Sequence, residues 1–329
     1  MKKFLGARIK RTLRGESSSH SSHRSDEGSR GRREEVESHH QVVTYEPPSR
    51  VREPENGLLL SPAELQKYMA IHERGCSHTS IIDPELLDRT GMTTEFNTIF
   101  CTIGWGGFWQ VPESGIEKLT LEFLCTLEVI HDGVTFRMFE QEYTLSWSAL
   151  NTVLGCDYDC QLDLEIATNR FEMNTFWKAI LNLDDCSDLR PNNIHNPTLR
   201  FLHYWISATL FPSTQAHTLS DHELRLFYAM VNKIKVSPVK LLVNHWLRVF
   251  EMELPIYFAS FITRIAESLS LLESQTVEYI TEARAVINEN TFININVLKR
   301  GPRGGLRMIY PGHAVEVPLP CERRRLYAL

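Results

Sequence analysis

The sequence predicts a mainly α protein with small β-hairpins, in which a multi-helix globular core follows a disordered, basic N-terminal tail. Three observations support this fold class. Apolar residues recur at helical spacing through the centre of the chain, capping residues and glycines mark helix ends, and positive charge is concentrated in the first 33 residues. With 329 residues, 42% of them hydrophobic, the chain is long enough to bury one large core or two ordinary ones.

The central stretch, residues 196–272, predicts three consecutive helices around which the remaining chain folds. The first starts at Asn196, which can cap it, and Pro197 fits its first turn. The second opens with the capping-box pattern of residues 220–223, and the third starts at residue 237 and is interrupted by Pro255. The apolar faces of these helices are formed by Leu199, Leu202, Ile206, Leu210, Leu224, Phe227, Tyr228, Val231, Leu241, Leu242, Trp246, Val249 and Phe250.

Short elements with clear boundaries precede this core. Asp132 and Gly133 lie between β-favouring runs, which is typical of a hairpin turn. In the segment from Gly104 to Trp109, three glycines permit a tight turn, and we expect the two indoles to pack inward rather than to form a ligand loop. Helix starts are predicted at Ser61, Asp83 and Ser146, and further helices over residues 94–103 and 119–127.

After the central helices, the pattern predicts one more helix and a strand pair. Residues 275–288 show helical spacing, whereas residues 292–297 alternate like a half-buried strand. Residues 306–310 are expected to return antiparallel across the basic turn formed by residues 299–305.

These elements suggest three regions. Residues 1–55 form the disordered basic tail, because Arg, Ser, Glu, His and Gly dominate there and cannot bury enough surface to offset the entropy of ordering. Residues 56–155 form an N-terminal subdomain of helices and a hairpin. Residues 156–329 form a C-terminal helical subdomain that ends in the strand pair.

The charge of the chain is unevenly distributed. Residues 1–33 carry ten Lys or Arg against Glu16, Asp26 and Glu27, a net +7, so the formal total of −6 leaves −13 on the remainder. A basic tail can neutralise phosphates or be read by nuclear import receptors, although such a run can equally be a solvated segment. The basic turn can touch RNA, or can simply be a hairpin tip. The candidate nucleic-acid contacts are Lys2, Lys3, Arg8, Lys10, Arg11 and Arg14 in the tail and Arg300, Arg303 and Arg307 around the turn.

The residue patterns that catalysis requires are absent from the sequence. It contains no P-loop, no dinucleotide-binding glycine pattern, no nucleophile elbow and no zinc-protease helix. Cys156 and Cys160 lack the spacing of a zinc knuckle, and His203 and His245 lie within apolar helical patterns. We therefore predict no enzymatic activity, no catalytic residue, no metal site, no cofactor and no small-molecule ligand.

The same residues bear on location. No run of eighteen apolar residues exists, and the N-terminus lacks the apolar stretch of a secretory signal. Seven scattered cysteines are best explained as mostly buried thiols in a reducing compartment. The expectation is an intracellular protein of the nucleus or cytoplasm, neither secreted nor bound to a membrane.

An ordered series of segments resembles the Athila-type plant retrotransposon ORF-1 protein family, which is related in pattern to the helical plant mobile domain. The series covers roughly residues 78–270 and consists of Ile82–Leu87, Gly91–Met92, Leu119–Leu127, Val134–Phe139, Tyr143–Ser146, Leu154–Gly155, Arg200–His203 and Glu223–Met230. The resemblance implies a mobile-element protein in the position of a Gag, with no established catalytic residues. The chain departs from a complete Gag polyprotein, since it has no zinc knuckle and no protease motif.

These observations lead to one principal hypothesis and two alternatives. The principal one is a non-enzymatic, Gag-like structural protein that self-associates and contacts RNA or DNA through its basic tail. The first alternative is a domesticated nuclear module of plant-mobile-domain type that binds a protein partner. The second is a degenerate element product without a selected function.

Overall fold

The computed structural model describes residues 49–181, 191–194, 196–212, 220–253, 255–310 and 316–321. The predicted tail disorder over residues 1–48 lies outside them. Regular structure begins before the predicted boundary at residue 55, because Val51–Arg52 pairs with Leu59–Leu60. In the first half of the chain the elements are β1 (Val51–Arg52), β2 (Leu59–Leu60), α1 (Pro62–Ile71), β3 (Ile81–Ile82), α2 (Pro84–Thr90), α3 (Thr93–Thr102), α4 (Glu117–Thr126), β4 (Glu128–Ile130), β5 (Gly133–Met138), β6 (Gln141–Ser146) and α5 (Trp147–Val153).

The second half contains the central helices and a small terminal sheet. Helix α8 (Pro197–Trp205) continues into a π-helical turn at Ile206–Leu210, and a 3-10 turn at Arg248–Glu251 follows helix α10 (Val239–Leu247). The elements are α6 (Leu164–Ala167), α7 (Met173–Leu181), α8 (Pro197–Trp205), α9 (Asp221–Val231), α10 (Val239–Leu247), α11 (Ala259–Ser268), β7 (Val286–Ile287), α12 (Glu289–Asn294), β8 (Leu298–Arg300), β9 (Leu306–Met308) and β10 (Val317–Leu319).

Helices supply most of the regular structure, but the prediction of a mainly α fold holds only in part. The described residues also form four small sheets: β1-β2, β4-β5-β6, the parallel pair β3-β7 and β10-β9-β8. The predicted hairpin at Asp132 and Gly133 is confirmed as β4-β5. The predicted antiparallel return is observed as β9, but its partner β8 begins at Leu298, largely within the predicted turn, rather than at residues 292–297. The third strands β6 and β10, together with the pairs β1-β2 and β3-β7, make the protein richer in β structure than its helical pattern indicates.

The predicted helix starts are confirmed at their caps. Ser61 and Ser220 each complete a capping box with the glutamate three residues later, at Glu64 and Glu223. Asn196 accepts hydrogen bonds from two backbone N–H groups in the first turn of α8. Asp83 and Ser146 cap α2 and α5 in the same way.

Aromatic rings at the start of the chain pack against the central helices. The ring of Phe100 stacks on Trp109 with centroids 4.8 Å apart, and its edge meets Trp205 of α8 at 4.8 Å. Trp105 is fully buried and donates its indole N–H to the carbonyl of Val236 at 2.6 Å. The expectation that both indoles pack inward is therefore confirmed. Since these contacts cross residue 155, one core is continuous across it, and the division into two subdomains there stays a prediction.

The helix predicted over residues 275–288 is wrong. Apart from Val286–Ile287, this segment has no regular secondary structure and is mostly exposed, and several of its hydrogen bonds reach distant parts of the chain. The N–H of Ile280 donates to the carbonyl of Gly115 at 2.9 Å, and Val286–Ile287 pairs with β3. Arg284 also donates to the carbonyls of Val111 and Glu113. Long-range hydrogen bonds thus override a local helical pattern that lacked a strong cap.

The strand predicted over residues 292–297 is also wrong, because Glu289–Asn294 forms helix α12. Asn288 caps this helix by accepting from the N–H of Thr291 at 3.2 Å. Its buried side chain, Phe292, stacks on Phe201 of α8 with centroids 3.9 Å apart. A cap and one large aromatic contact prevail over the alternation of apolar and polar residues.

A buried ion pair joins α4 to the sheet β4-β5-β6. Arg137 on β5 is 1% exposed, and its Nε lies 3.3 Å from Oε1 of Glu122, which is 3% exposed. The same carboxylate accepts the backbone N–H groups of Phe139 at 2.7 Å and Glu140 at 2.9 Å. Both of those turn residues have left-handed φ angles, 52° and 64°, a conformation that is unfavourable for side chains of their size. Glu122 therefore holds both the arginine and a strained turn.

We expect Glu122→Gln to lower the free energy of unfolding by about 3 kcal/mol, because it leaves the buried Arg137 charge with a weaker partner. Urea unfolding of both variants measures the difference. Glu117→Gln is the matched control, since Glu117 is exposed on the same helix and its change is expected to stay within about 0.5 kcal/mol. Equal unfolding free energies for the two variants would show that the buried pair does not stabilise the fold.

Candidate nucleic-acid interface

The sequence predicts two groups of nucleic-acid contacts, and the structure describes only the second. Lys2, Lys3, Arg8, Lys10, Arg11 and Arg14 lie outside the described residues. Arg300 and Arg307 lie on β8 and β9, on either side of the 3-10 turn Pro302–Gly304 that contains Arg303. The side chain of Arg303 is outside the description. The role of all nine residues in nucleic-acid contact stays a prediction.

Lys299 and Arg307 lie opposite each other on the two strands of the hairpin. Cross-strand partners project from the same face of a sheet, and both cations here reach Glu316, which precedes β10. Lys299 Nζ lies 2.7 Å from Glu316 Oε1, and Arg307 Nη1 lies 3.6 Å from Oε2. The hydrogen bond from Lys299 and the charge of Arg307 lower the pKa of Glu316 below its usual value.

A second group of charged side chains, centred on Arg300, lies on the opposite face of the hairpin. Arg300 donates to Glu289 at 2.6 Å and to the side-chain oxygen of Asn290 at 2.8 Å. Arg89 of α2 donates to the other oxygen of Glu289 at 2.6 Å and so connects α2 to the hairpin. Burial alone would raise the pKa of Glu289, but the hydrogen bonds from Arg300 and Arg89 lower it overall.

The geometry adds residues that sequence reasoning missed. Lys299 stands in the basic turn of the sequence, but its partnership with Arg307 depends on strand register. Arg89 and Glu289 are 200 residues apart, and no local pattern connects them. The only available signal for Glu289 and Glu316 was their position at the two ends of a basic segment.

The two cysteines that the sequence places four residues apart flank a short acidic loop, which contains Asp157 and Asp159. Cys156 and Cys160 are buried, and burial raises the pKa of the Cys160 thiol to about 11. Between Asp157 and Asp159 lies the amine of Lys235, at 3.1 Å and 2.9 Å.

Across the described residues, no three His, Cys, Asp or Glu side chains are grouped as metal ligands. Among the same residues, no helix has the length and apolar character needed to span a membrane.

Of the two histidines in helical patterns, His203 is buried and His245 is half-buried. His203 on α8 is 4% exposed, and its ring lies edge-on to Phe227 at 6.1 Å. His245 on α10 lies between Phe211 and Phe258, at the back of a shallow cleft that Arg74, Met252 and Tyr257 also line. Burial, with a smaller contribution from the Arg248 charge, lowers the pKa of His245 to about 4.

The described residues form a helix-rich globular body. On its C-terminal sheet, Lys299, Arg300 and Arg307 form ion pairs with glutamates. The family model described as the ATHILA ORF-1 family matches residues 15–235, about two thirds of the chain. The chain therefore belongs to the ATHILA ORF-1 family of Athila-type retrotransposon proteins, which confirms the resemblance. No curated protein and no solved structure matches the chain. All nine candidate nucleic-acid contacts lie outside the matched region.

The lowered pKa of His245 predicts a loss of stability in mild acid. Below about pH 6.5 the unfolded chain binds a proton that folded His245 refuses until about pH 4, so stability falls as the pH decreases through that range. We expect this group to contribute about 2 kcal/mol of loss between about pH 7 and about pH 5. Urea unfolding at both pH values measures the loss.

His245→Gln should flatten the pH dependence by that amount. His222→Gln, which alters an exposed histidine on α9, is the matched control and should leave the pH dependence as it is in the unaltered chain. If His245→Gln retains the full slope, another group is responsible for the acid sensitivity.

Proposed function

We propose that this protein is a non-enzymatic, Gag-like structural protein of a retrotransposon, which self-associates through its folded body and contacts nucleic acid through its basic tail. Membership of the ATHILA ORF-1 family is the observation that carries the proposal. The family is Gag-like and generally non-enzymatic. A protein of this class has to bring many copies together around a nucleic acid.

The distribution of charge supports the division of roles. The net +7 of residues 1–33 is suited to electrostatic binding of a polyanion, whereas the −13 of the remaining chain repels one. In the described body, Lys299, Arg300 and Arg307 of the C-terminal hairpin are paired with carboxylates. The tail is therefore the strongest source of uncompensated positive charge in the sequence.

An exposed sheet edge supports self-association. Strand β4 pairs only with β5, and its outer edge has no further strand among the described residues. Its side chains Val129 and Ile130 are 49% and 39% exposed. Unpaired edges that carry apolar side chains are templates for pairing with another chain. The body thus offers both hydrogen-bonding groups and apolar surface to a second copy.

The proposal predicts growth of the protein into large assemblies on single-stranded RNA. Light scattering of the purified chain, with and without RNA, measures the mass. In a variant with Lys2, Lys3, Arg8, Lys10, Arg11 and Arg14 all changed to Gln, the loss of six cations should weaken RNA binding and reduce the slope of its salt dependence by up to about 4, at about 0.7 per phosphate.

The matched control distributes the same number of changes over exposed lysines and arginines of the body outside the hairpin. This control should bind RNA nearly as the unaltered chain does. A monomer that ignores RNA would contradict the Gag-like proposal and favour the protein-interaction module. RNA binding unaffected by the six tail changes would contradict the role of the tail.

A further inference from the structure

The C-terminal hairpin carries two cations that meet at one carboxylate. Lys299 and Arg307 are 57% and 39% exposed, and both point to Glu316, which is 28% exposed. The group has one net positive charge, because a single carboxylate faces two cations. Two convergent cations around one anion form a site whose geometry is already suited to another anionic group.

We propose that Lys299 and Arg307 form a phosphate-binding pair for a nucleic-acid backbone, and that Glu316 is its internal counterion, which phosphate displaces. This contact rests on the nucleic-acid binding proposed above and adds a site on the folded body to that of the tail. A phosphate group offers more acceptor oxygens than a carboxylate and can bridge both cations.

The distances identify Glu316 as the displaceable carboxylate. Lys299 donates a hydrogen bond to Glu316 at 2.7 Å, but Arg307 Nη1 lies 3.6 Å from this carboxylate, beyond hydrogen-bonding distance, and Glu316 is accessible to solvent. By contrast, Glu289 is 15% exposed and lies 2.6 Å from both Arg89 and Arg300. Glu289 therefore connects α2 to the hairpin through two short ion pairs. Glu316 has one short ion pair and greater exposure, so a phosphate group can replace it.

The surroundings favour a polyanion over a protein surface. Protein interfaces are anchored by buried aromatic or aliphatic side chains. No large hydrophobic side chain is exposed in the described stretches 289–310 and 316–321. The exposed pair Lys299 and Arg307, beside a turn that contains Gly301, Gly304 and Gly305, allows close approach of a phosphate backbone without sequence readout.

The test measures the affinity of the full-length chain for a labelled single-stranded RNA at several salt concentrations. The double variant Lys299→Gln/Arg307→Gln should bind more weakly, and the slope of its salt dependence should fall by about 1.4, because two contacts contribute about 0.7 each. Lys118→Gln/Lys178→Gln is the matched control, since it removes the same charge from exposed positions on α4 and α7.

Glu316→Gln should raise the affinity by about two- to fivefold, the factor that corresponds to releasing an exposed ion pair. Its control, Glu278→Gln in the exposed segment before β7, removes the same charge elsewhere and should have a smaller effect. Thermal unfolding of each variant verifies that the fold is retained. With the fold verified, a rise in affinity beyond that of the control shows that removing the Glu316 charge frees the two cations for RNA.

The outcomes distinguish failure of this inference from failure of the proposed function. If the unaltered chain binds RNA but both hairpin variants match their controls, the hairpin contact is overturned and the tail keeps its role. If poly-glutamate competes as well as RNA of equal charge, the assignment to nucleic acid is overturned. If the unaltered chain binds no RNA, the proposed function fails and the hairpin contact fails with it.

Discussion

The fold depends on buried arginines that bring distant segments to shared acceptors. Arg137 joins the Glu122 carboxylate of α4, Glu64 in the capping box of α1 and the carbonyl of Leu59 on β2. Arg264 on α11 pairs with Glu113 at 2.7 Å and donates to the carbonyls of Phe108 and Leu154, each at 3.1 Å. The helices are short and the sheets small, so these planar cations with several donors supply much of the directional contact between elements.

A third buried arginine has weaker charge compensation than these two. Arg200 on α8 is 4% exposed, and its described acceptors are the sulfur of Met308 and a backbone carbonyl rather than a carboxylate. It donates to the carbonyl of Ile309 at 2.5 Å and lies 5.7 Å from the ring centre of Tyr310. Burial lowers the pKa of its guanidinium to about 10. The contact fixes the end of β9 to the central helices, but the charge is compensated only by dipoles and a ring face.

Sequence reasoning succeeded where the determining interaction is local. Ser61, Asn196 and Ser220 cap helices through atoms two or three residues away, and the Asp132 turn lies within its own hairpin. Reasoning failed over residues 275–297, where Gly115, β3 and Phe201 supply partners from far away in sequence. In the candidate site, too, local sequence patterns could not reveal partners that are far apart in sequence. Charge density identified Arg300 and Arg307, but pairing of Arg89 with Glu289 depends on the finished fold.

The parallel pair β3-β7 has a consequence for how the chain is made. Ile82 pairs with Ile287, so about 200 residues must be synthesised after β3 before its partner exists. At roughly 5 to 20 residues per second, that interval is on the order of ten to forty seconds on the ribosome. During it, the N-terminal helices lack the segment that closes against them, including the bond from Ile280 to Gly115. The region matched by the family model ends before this closing segment, so completion of its core waits for residues that the family pattern does not include.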